Sequence, residues 1–217
     1  MNYLRDLIKS NSYIYPIYIN KIRRLGIDFP NKSTDLHLTG FPRSANTYCK
    51  QLVNEVFPEL NTVTHIHTVA SLKIALKNNT KVILLLRSPL STTTSLMMKY
   101  DYKTVCSVLY DYMKYHEYVV QNKEAIDIFT FEEVISSPYN LINFIKSNFN
   151  VGITDQEIKS RLNSAEQKFK QKEKSKNPLG SSLPNYKREE KKDSYTTLIC
   201  SHRLYGKAQN LYLELKK

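Results

Sequence analysis

The sequence predicts an α/β fold, a three-layer sandwich in which helices cover both faces of a central, mostly parallel sheet. Three observations carry that expectation. Short β-type runs alternate with helical patterns along the chain. Val82-Ile83-Leu84-Leu85-Leu86 is continuously apolar, as suits a strand covered on both faces. Residues 36–48 read as a strand, a tight loop and the first turn of a helix. Strands that alternate with helices pair in parallel through right-handed crossovers, and ligand sites lie at their carboxyl ends.

Residues 1–34 read as a mainly helical preamble. Tyr13, Ile14, Tyr15, Ile17, Tyr18, Ile19 and Ile22 are expected to pack on the core, with membrane contact the alternative. In the first strand, 36–39, Leu36 and Leu38 alternate with polar neighbours. Gly40 and Pro42 end that strand, and a helix follows with Cys49, Leu52, Val53, Val56 and Phe57 on one face. The second strand is expected at 62–67 and the third at 82–86. Ser88 as N-cap and Pro89 at N1 then open a helix through Leu96, Met97 and Met98. The longest helical pattern covers 104–121, and the fourth strand 126–129. Pro138 precedes an apolar helix through Leu141, Ile142, Phe144 and Ile145. Residues 166–193 are polar, charged and punctuated by Pro178, Gly180 and Pro184, so they read as a mobile basic loop. One C-terminal helix is expected within 194–217, with its body at about 195–215. A chain of 217 residues, 41% hydrophobic, suffices for a single domain over 1–217 and is short for two.

Cys49, Cys106 and Cys200 have no metal-ligand spacing, and an odd count at wide separation fits a reducing compartment. No apolar stretch reaches the ~18 residues of a membrane span. Arg5, Asp6 and Lys9 interrupt any apolar leader, so a cytoplasmic location is expected. The net charge of +12 suits a polyanionic cofactor or an acidic acceptor. It would attract nucleic acid equally well, so charge alone decides nothing, although nucleic acid is not the expected partner.

The chemistry concentrates at 40–48. A loop that feeds a helix N-terminus gathers free backbone N–H groups at a positive dipole end, a ready anion site. Here it also carries Arg43 and the hydroxyls of Ser44 and Thr47. It is not a Walker A loop, because no Gly-Lys pair followed by Ser or Thr occurs in the chain. The string Gly40-Phe41-Pro42-Arg43-Ser44-Ala45-Asn46-Thr47-Tyr48 instead resembles the 5′-phosphosulfate loop of sulfotransferases that use PAPS, 3′-phosphoadenosine 5′-phosphosulfate. Ala45 stands where that family usually has Gly, which leaves less room for φ > 0. A second match is Arg87 at the end of the apolar run with Ser95 eight residues later, the form of the family's 3′-phosphate site. Thr64-His65-Ile66-His67 lies where the family often places a catalytic His, and Phe131-Glu132-Glu133-Val134 resembles its aromatic-Glu-Asp-Leu stretch. The matches span 36–149, about half the chain.

That resemblance implies a P-loop-NTPase-like sulfotransferase fold and transfer of a sulfuryl group from PAPS to a hydroxyl or amine, leaving PAP. Arg43, Ser44, Ala45, Asn46, Thr47 and Tyr48 would hold the 5′-phosphosulfate, and Arg87 with Ser95 the 3′-phosphate. Lys187-Arg188 is the nearest match to the family's late basic segment at the adenosine, although Glu189 and Glu190 follow it. No metal is implied: SO₃ carries less charge than a γ-phosphoryl group, so positioning and cationic donors suffice. Arg87 also stands where an NTPase would want an Asp for Mg²⁺. His65, which follows Thr64, is the expected general base; His67 is the alternative, two residues along and so on the same face of a strand. Glu132 or Glu133 comes third, and His37, His116 and His202 are expected to be structural or exposed. The plain readings are a surface Arg43, an Arg87 salt bridge, and a Ser95 bonded to its own helix. The acceptor stays open among small molecules, glycans, lipids and peptides, as does the oligomeric state. The competing functions are a non-catalytic binder of phosphonucleotides or polyanions with a degenerate loop, and a nucleotide kinase.

Overall fold

Four parallel strands, β1 (Leu36–Thr39), β2 (Thr62–Val63), β3 (Lys81–Leu86) and β4 (Asp127–Thr130), form a sheet in the order β2-β1-β3-β4. The structure, a computed structural model, describes residues 3–22, 25, 27–64, 66–100, 103–174 and 186–217, with only the backbone described at 3, 5 and 186–191. Its helices are α1 (Tyr3–Ser10), α2 (Ile14–Ile17), α3 (Asn46–Val56), α4 (Val69–Lys77), α5 (Pro89–Lys99), α6 (Val105–Gln121), α7 (Phe131–Ser136), α8 (Pro138–Phe149), α9 (Asp155–Lys174), α10 (Tyr186–Cys200) and α11 (Tyr205–Leu215). A single π-turn, Tyr18–Ile22, continues α2.

β3 explains the layering. Its residues 82 to 86 are fully buried, and alternate side chains serve opposite faces. Val82, Leu84 and Leu86 join a core with α4, α5, α6 and α11. Ile83 and Leu85 join Leu36 and Leu38 of β1 in a second core with α3, α8 and α9. Helices therefore cover both faces, as the period of the sequence requires. β3 pairs with β1 from Leu36↔Lys81 to Thr39↔Leu84 and with β4 from Ile83↔Asp127 to Leu86↔Thr130. The helix starts follow local chemistry: the Ser88 side chain accepts from Ser91 N with Pro89 behind it, and Thr104 and Thr130 each close a capping box. No helix among the described residues is long and apolar enough to cross a membrane.

Four expectations are corrected. The second strand ends at Val63, and 66–67 run off the sheet; the Ile66 carbonyl takes side-chain bonds from Thr39 Oγ1 (3.1 Å) and Ser71 Oγ (3.0 Å) in place of a ladder. The basic loop at 166–193 is largely helix, since α9 runs to Lys174 and α10 begins at Tyr186; 175–185 lie outside the described residues. The apolar row Ile158, Leu162, Ala165 and Phe169 buries one face of α9 despite its lysines. The C-terminal helix is two helices, broken where His202 Nδ1 accepts from Leu204 N–H and the His202 carbonyl from Tyr205 N–H. In the preamble, Ile19 alone of the seven expected core residues is buried.

Candidate active site

β1 delivers the loop. A methyl group on Gly40 would sit 2.5 Å from the Leu85 carbonyl oxygen, so only glycine lets the chain leave β1 so close to β3. Asn46 Nδ2 donates to the Phe41 carbonyl (3.1 Å) and closes the loop from its far end. Arg43 and Ala45 both take positive φ, 76° and 65°. Ala45 therefore adopts the backbone that glycine would adopt, at the N-cap of α3. The left-handed state disfavours an L-residue by roughly 1–2 kcal/mol. Ala45→Gly is accordingly expected to raise stability by about 0.5–1 kcal/mol in urea unfolding, the relief being reduced by glycine's larger chain entropy. A loss of stability would show that the packing of the methyl against the core outweighs the strain.

The kinked backbone sorts the loop's groups. Ser44 is fully buried beneath it, its N–H bonded to the Phe41 carbonyl (3.2 Å), and it does not line the cavity above. Its hydroxyl, like that of Thr94 on the cavity wall, is buried with no hydrogen-bond partner among the described residues. The N–H groups of Asn46, Thr47 and Tyr48 open α3, where no intrahelical acceptor exists for them. Ala45, Asn46, Thr47 and Tyr48 all line the cavity.

Arg43 Nε donates to Ser95 Oγ on α5 (2.8 Å), and Arg87 Nη1 donates to the Arg43 carbonyl (2.7 Å). The two expected phosphate sites are therefore one connected cluster: Ser95 supports Arg43, and Arg87 supports the loop that carries Arg43. Phe131 lies under Arg87, with the guanidinium carbon 3.9 Å from the ring centroid. Thr130, capped by Glu133, sets the start of α7 and so the position of that ring. Glu133 is engaged in this cap, and the bonds from Thr130 hold its carboxyl below the usual range. Neither Glu132 nor Glu133 lines the cavity. Phe131 was legible only as part of a motif; its use as an arginine platform was not.

The histidines divide cleanly. His65 lies outside the described residues. His67 lines the cavity, and its Nδ1 donates to the Gly40 carbonyl, which fixes the proton on that nitrogen and makes Nε2 the basic one in the neutral ring. A relay holds the residue before it: Tyr115 OH donates to Thr39 Oγ1 (3.0 Å), which donates to the Ile66 carbonyl. His37 is buried in the sheet, donating from Nδ1 to the Val63 carbonyl, with Nε2 3.3 Å from Ser71 Oγ. His116 is buried among Phe41, Tyr112 and Tyr115 and donates to the Tyr112 carbonyl. Burial depresses both His37 and His116 to about 4. His202 is half-buried at the α10–α11 break.

The cavity holds about 1420 Å³ and spans from α3 and α9 to α5 and α6. Lys and Arg outnumber Asp and Glu on its wall. Tyr48 hydrogen-bonds Glu166 on α9 (3.1 Å) and meets Phe169 edge to face, forming an aromatic corner beside the loop. Thr94, next to Ser95, is a wall residue the sequence did not suggest: it is buried, and its hydroxyl has no hydrogen-bond partner among the described residues. An unpaired buried hydroxyl on a cationic wall fits an anionic ligand with several acceptor oxygens. The backbone of Lys187 and Arg188 lies in the first turn of α10, and their side chains are outside the described residues.

The molecule is an α/β protein whose parallel sheet feeds, from its first strand, an arginine-bearing loop at a helix N-terminus. Its fold is that of the sulfotransferases. The chain is similar to mouse sulfotransferase SULT7A1, solved in complex with PAP, with a TM-score of 0.53 at 12% identity over 84% of this chain and 90% of that one. No family model and no curated protein matches the chain in sequence.

Proposed function

We propose that the protein is a PAPS-dependent sulfotransferase that sulfates a hydroxyl or amine of an acceptor. The supporting observation is the convergence of the α3 amides, Arg43, Arg87, Ser95 and His67 on one wall of a large cationic cavity, at the carboxyl ends of a sheet of sulfotransferase fold. When bound, PAPS supplies the activated sulfuryl group; the chain's residues need only bind, orient and move one proton. Arg43 and the amides of Asn46, Thr47 and Tyr48 oppose negative charge at the 5′ end, where a leaving phosphate gains it. Arg87, stacked on Phe131 and close to Thr94 and Ser95 on the same wall, opposes the 3′-phosphate. His67 Nε2 accepts the acceptor's proton, with His65 the alternative for that role. Lys187 and Arg188 are assigned to the adenosine end, and the acceptor is a small molecule, a glycan or a lipid.

Calorimetry without Mg²⁺ tests the binding half of this reading. PAP should bind far better than AMP or ATP, and Arg87→Ala should erase much of the preference by removing a charged contact worth ~1.5–3 kcal/mol. Equal affinity for AMP and PAP in the wild type would sink the assignment. An acceptor screen with radiolabelled PAPS tests the catalytic half; PAP binding without transfer to any acceptor would favour a non-catalytic binder.

A further inference from the structure

The large exposed apolar side chains gather at one place. Leu4, Leu7, Tyr13, Ile14, Ile17, Ile22 and Leu25 are 47% to 69% exposed, so about half or more of each is left in water. Elsewhere among the described residues the large exposed apolar side chains are Ile135, Leu198 and Leu213, on three different helices. Single exposed residues of that kind are ordinary, whereas a cluster marks an interaction surface. The segment is also anchored. Ile19 is buried, and the Tyr15 ring packs edge to face on Phe29 at 5.8 Å, so the apolar side is held outward.

The charge of the segment selects the occupant. The first 25 residues carry Arg5, Lys9, Lys21, Arg23 and Arg24 against Asp6 alone, and of these cations Lys9 is paired with Asp111 on α6 (3.2 Å). Lys21 is exposed beside Ile22, and Lys77 reaches Tyr13 from α4, donating to its hydroxyl at 2.8 Å. A second copy of the chain would bring Lys21 and Lys77 against the same residues of its partner, because a two-fold interface apposes the same patch on both subunits. Apolar residues with tyrosines and cations around them match the boundary between the headgroups and acyl chains of an anionic bilayer. We infer that this N-terminal surface docks the protein onto anionic membranes, with Ile14, Ile17 and Ile22 entering the interface and no segment crossing it. Because Asp6, Lys9 and Ser10 of α1 also line the cavity, docking sets one wall of the site against the bilayer.

The test is sedimentation of the full chain with vesicles of phosphatidylcholine, alone or with about 30% phosphatidylserine, at about 0.1 M salt. Wild type should partition to the anionic vesicles at least about tenfold more strongly than to the neutral ones, and raised salt should weaken the binding. Ile14→Asp/Ile17→Asp should lower that partitioning about tenfold, and Lys21→Glu severalfold, each with unchanged far-ultraviolet circular dichroism and unchanged PAP binding. Failure of wild type to sediment with anionic vesicles overturns the inference, as does binding that the double variant leaves intact. A concentration-dependent dimer in analytical ultracentrifugation, abolished by the double variant and without vesicle binding, assigns the surface to a second copy instead.

Discussion

Acidification from pH 7 to pH 4 is expected to destabilise the fold by about 3 kcal/mol for each of His37 and His116. Both are buried as neutral rings and depressed to about 4, whereas in the unfolded chain they titrate near 6.5. Between those values the unfolded state binds more protons than the native one, so stability falls as the pH drops through that window. It is fully present above about 6.5 and levels off below about 4. Carboxyls held below their usual range, such as Glu133, begin to add their loss below about 4.5 and continue to do so under more acidic conditions. Urea unfolding at several pH values between 7 and 4 measures the slope. His116→Phe keeps an aromatic ring against Phe41 and Tyr112 and should remove about half of it. Stability that stays flat across this window would show that the two rings accept protons without unfolding.

Replacing His67 by alanine is expected to lower kcat by roughly 10²–10⁴-fold with PAP affinity nearly unchanged. The Gly40 carbonyl holds its Nδ1 proton, so Nε2 is presented in one tautomer without reorganisation. The loop that carries Arg43 and the His67 ring are thereby tied to the same residue. Exogenous imidazole should restore part of the rate to His67→Ala, a response that a merely structural role would not give. A fully active His67→Ala alongside a dead His65→Ala would transfer the role to His65. Weakened PAP binding with unchanged kcat would make His67 a support for the loop alone.

Much of this arrangement was legible in the sequence because short-range chemistry dictates it. Five consecutive apolar residues, too few for a helix and closed by Ser88-Pro89, suit a strand covered on both faces, and Ser88-Pro89 starts a helix after it. The loop was legible because Gly40, Pro42 and a following amphipathic helix leave few other conformations. The errors arose where tertiary contacts outweighed local pattern. Thr62 to His67 alternates as a strand would, but side chains from β1 and α4 capture the Ile66 carbonyl after two residues of pairing. Charge hid the continuation of α9, whose buried row is spaced for a helix. Two placements had no local signal: Ser44 turns beneath the loop because the residues on either side take positive φ, and Ser95 meets Arg43 across the cavity wall. The Arg87–Phe131 stack joins residues from different strand–helix units, a contact that no spacing rule anticipates.

The sheet order also governs how the newly made chain reaches this state. Neither neighbour of β3 is close to it in sequence, since Leu36 pairs with Lys81 and Ile83 with Asp127. Long loops must close before any ladder bond forms, so folding belongs to the slow regime of non-local topologies. Throughout that interval the most apolar run of the chain is uncovered, and its β-rich composition favours association with other chains. Lys81 at one end and Arg87 at the other place like charges on both flanks of the run, where they oppose stacking of one nascent copy on another. Arg87 thus guards the strand during biosynthesis.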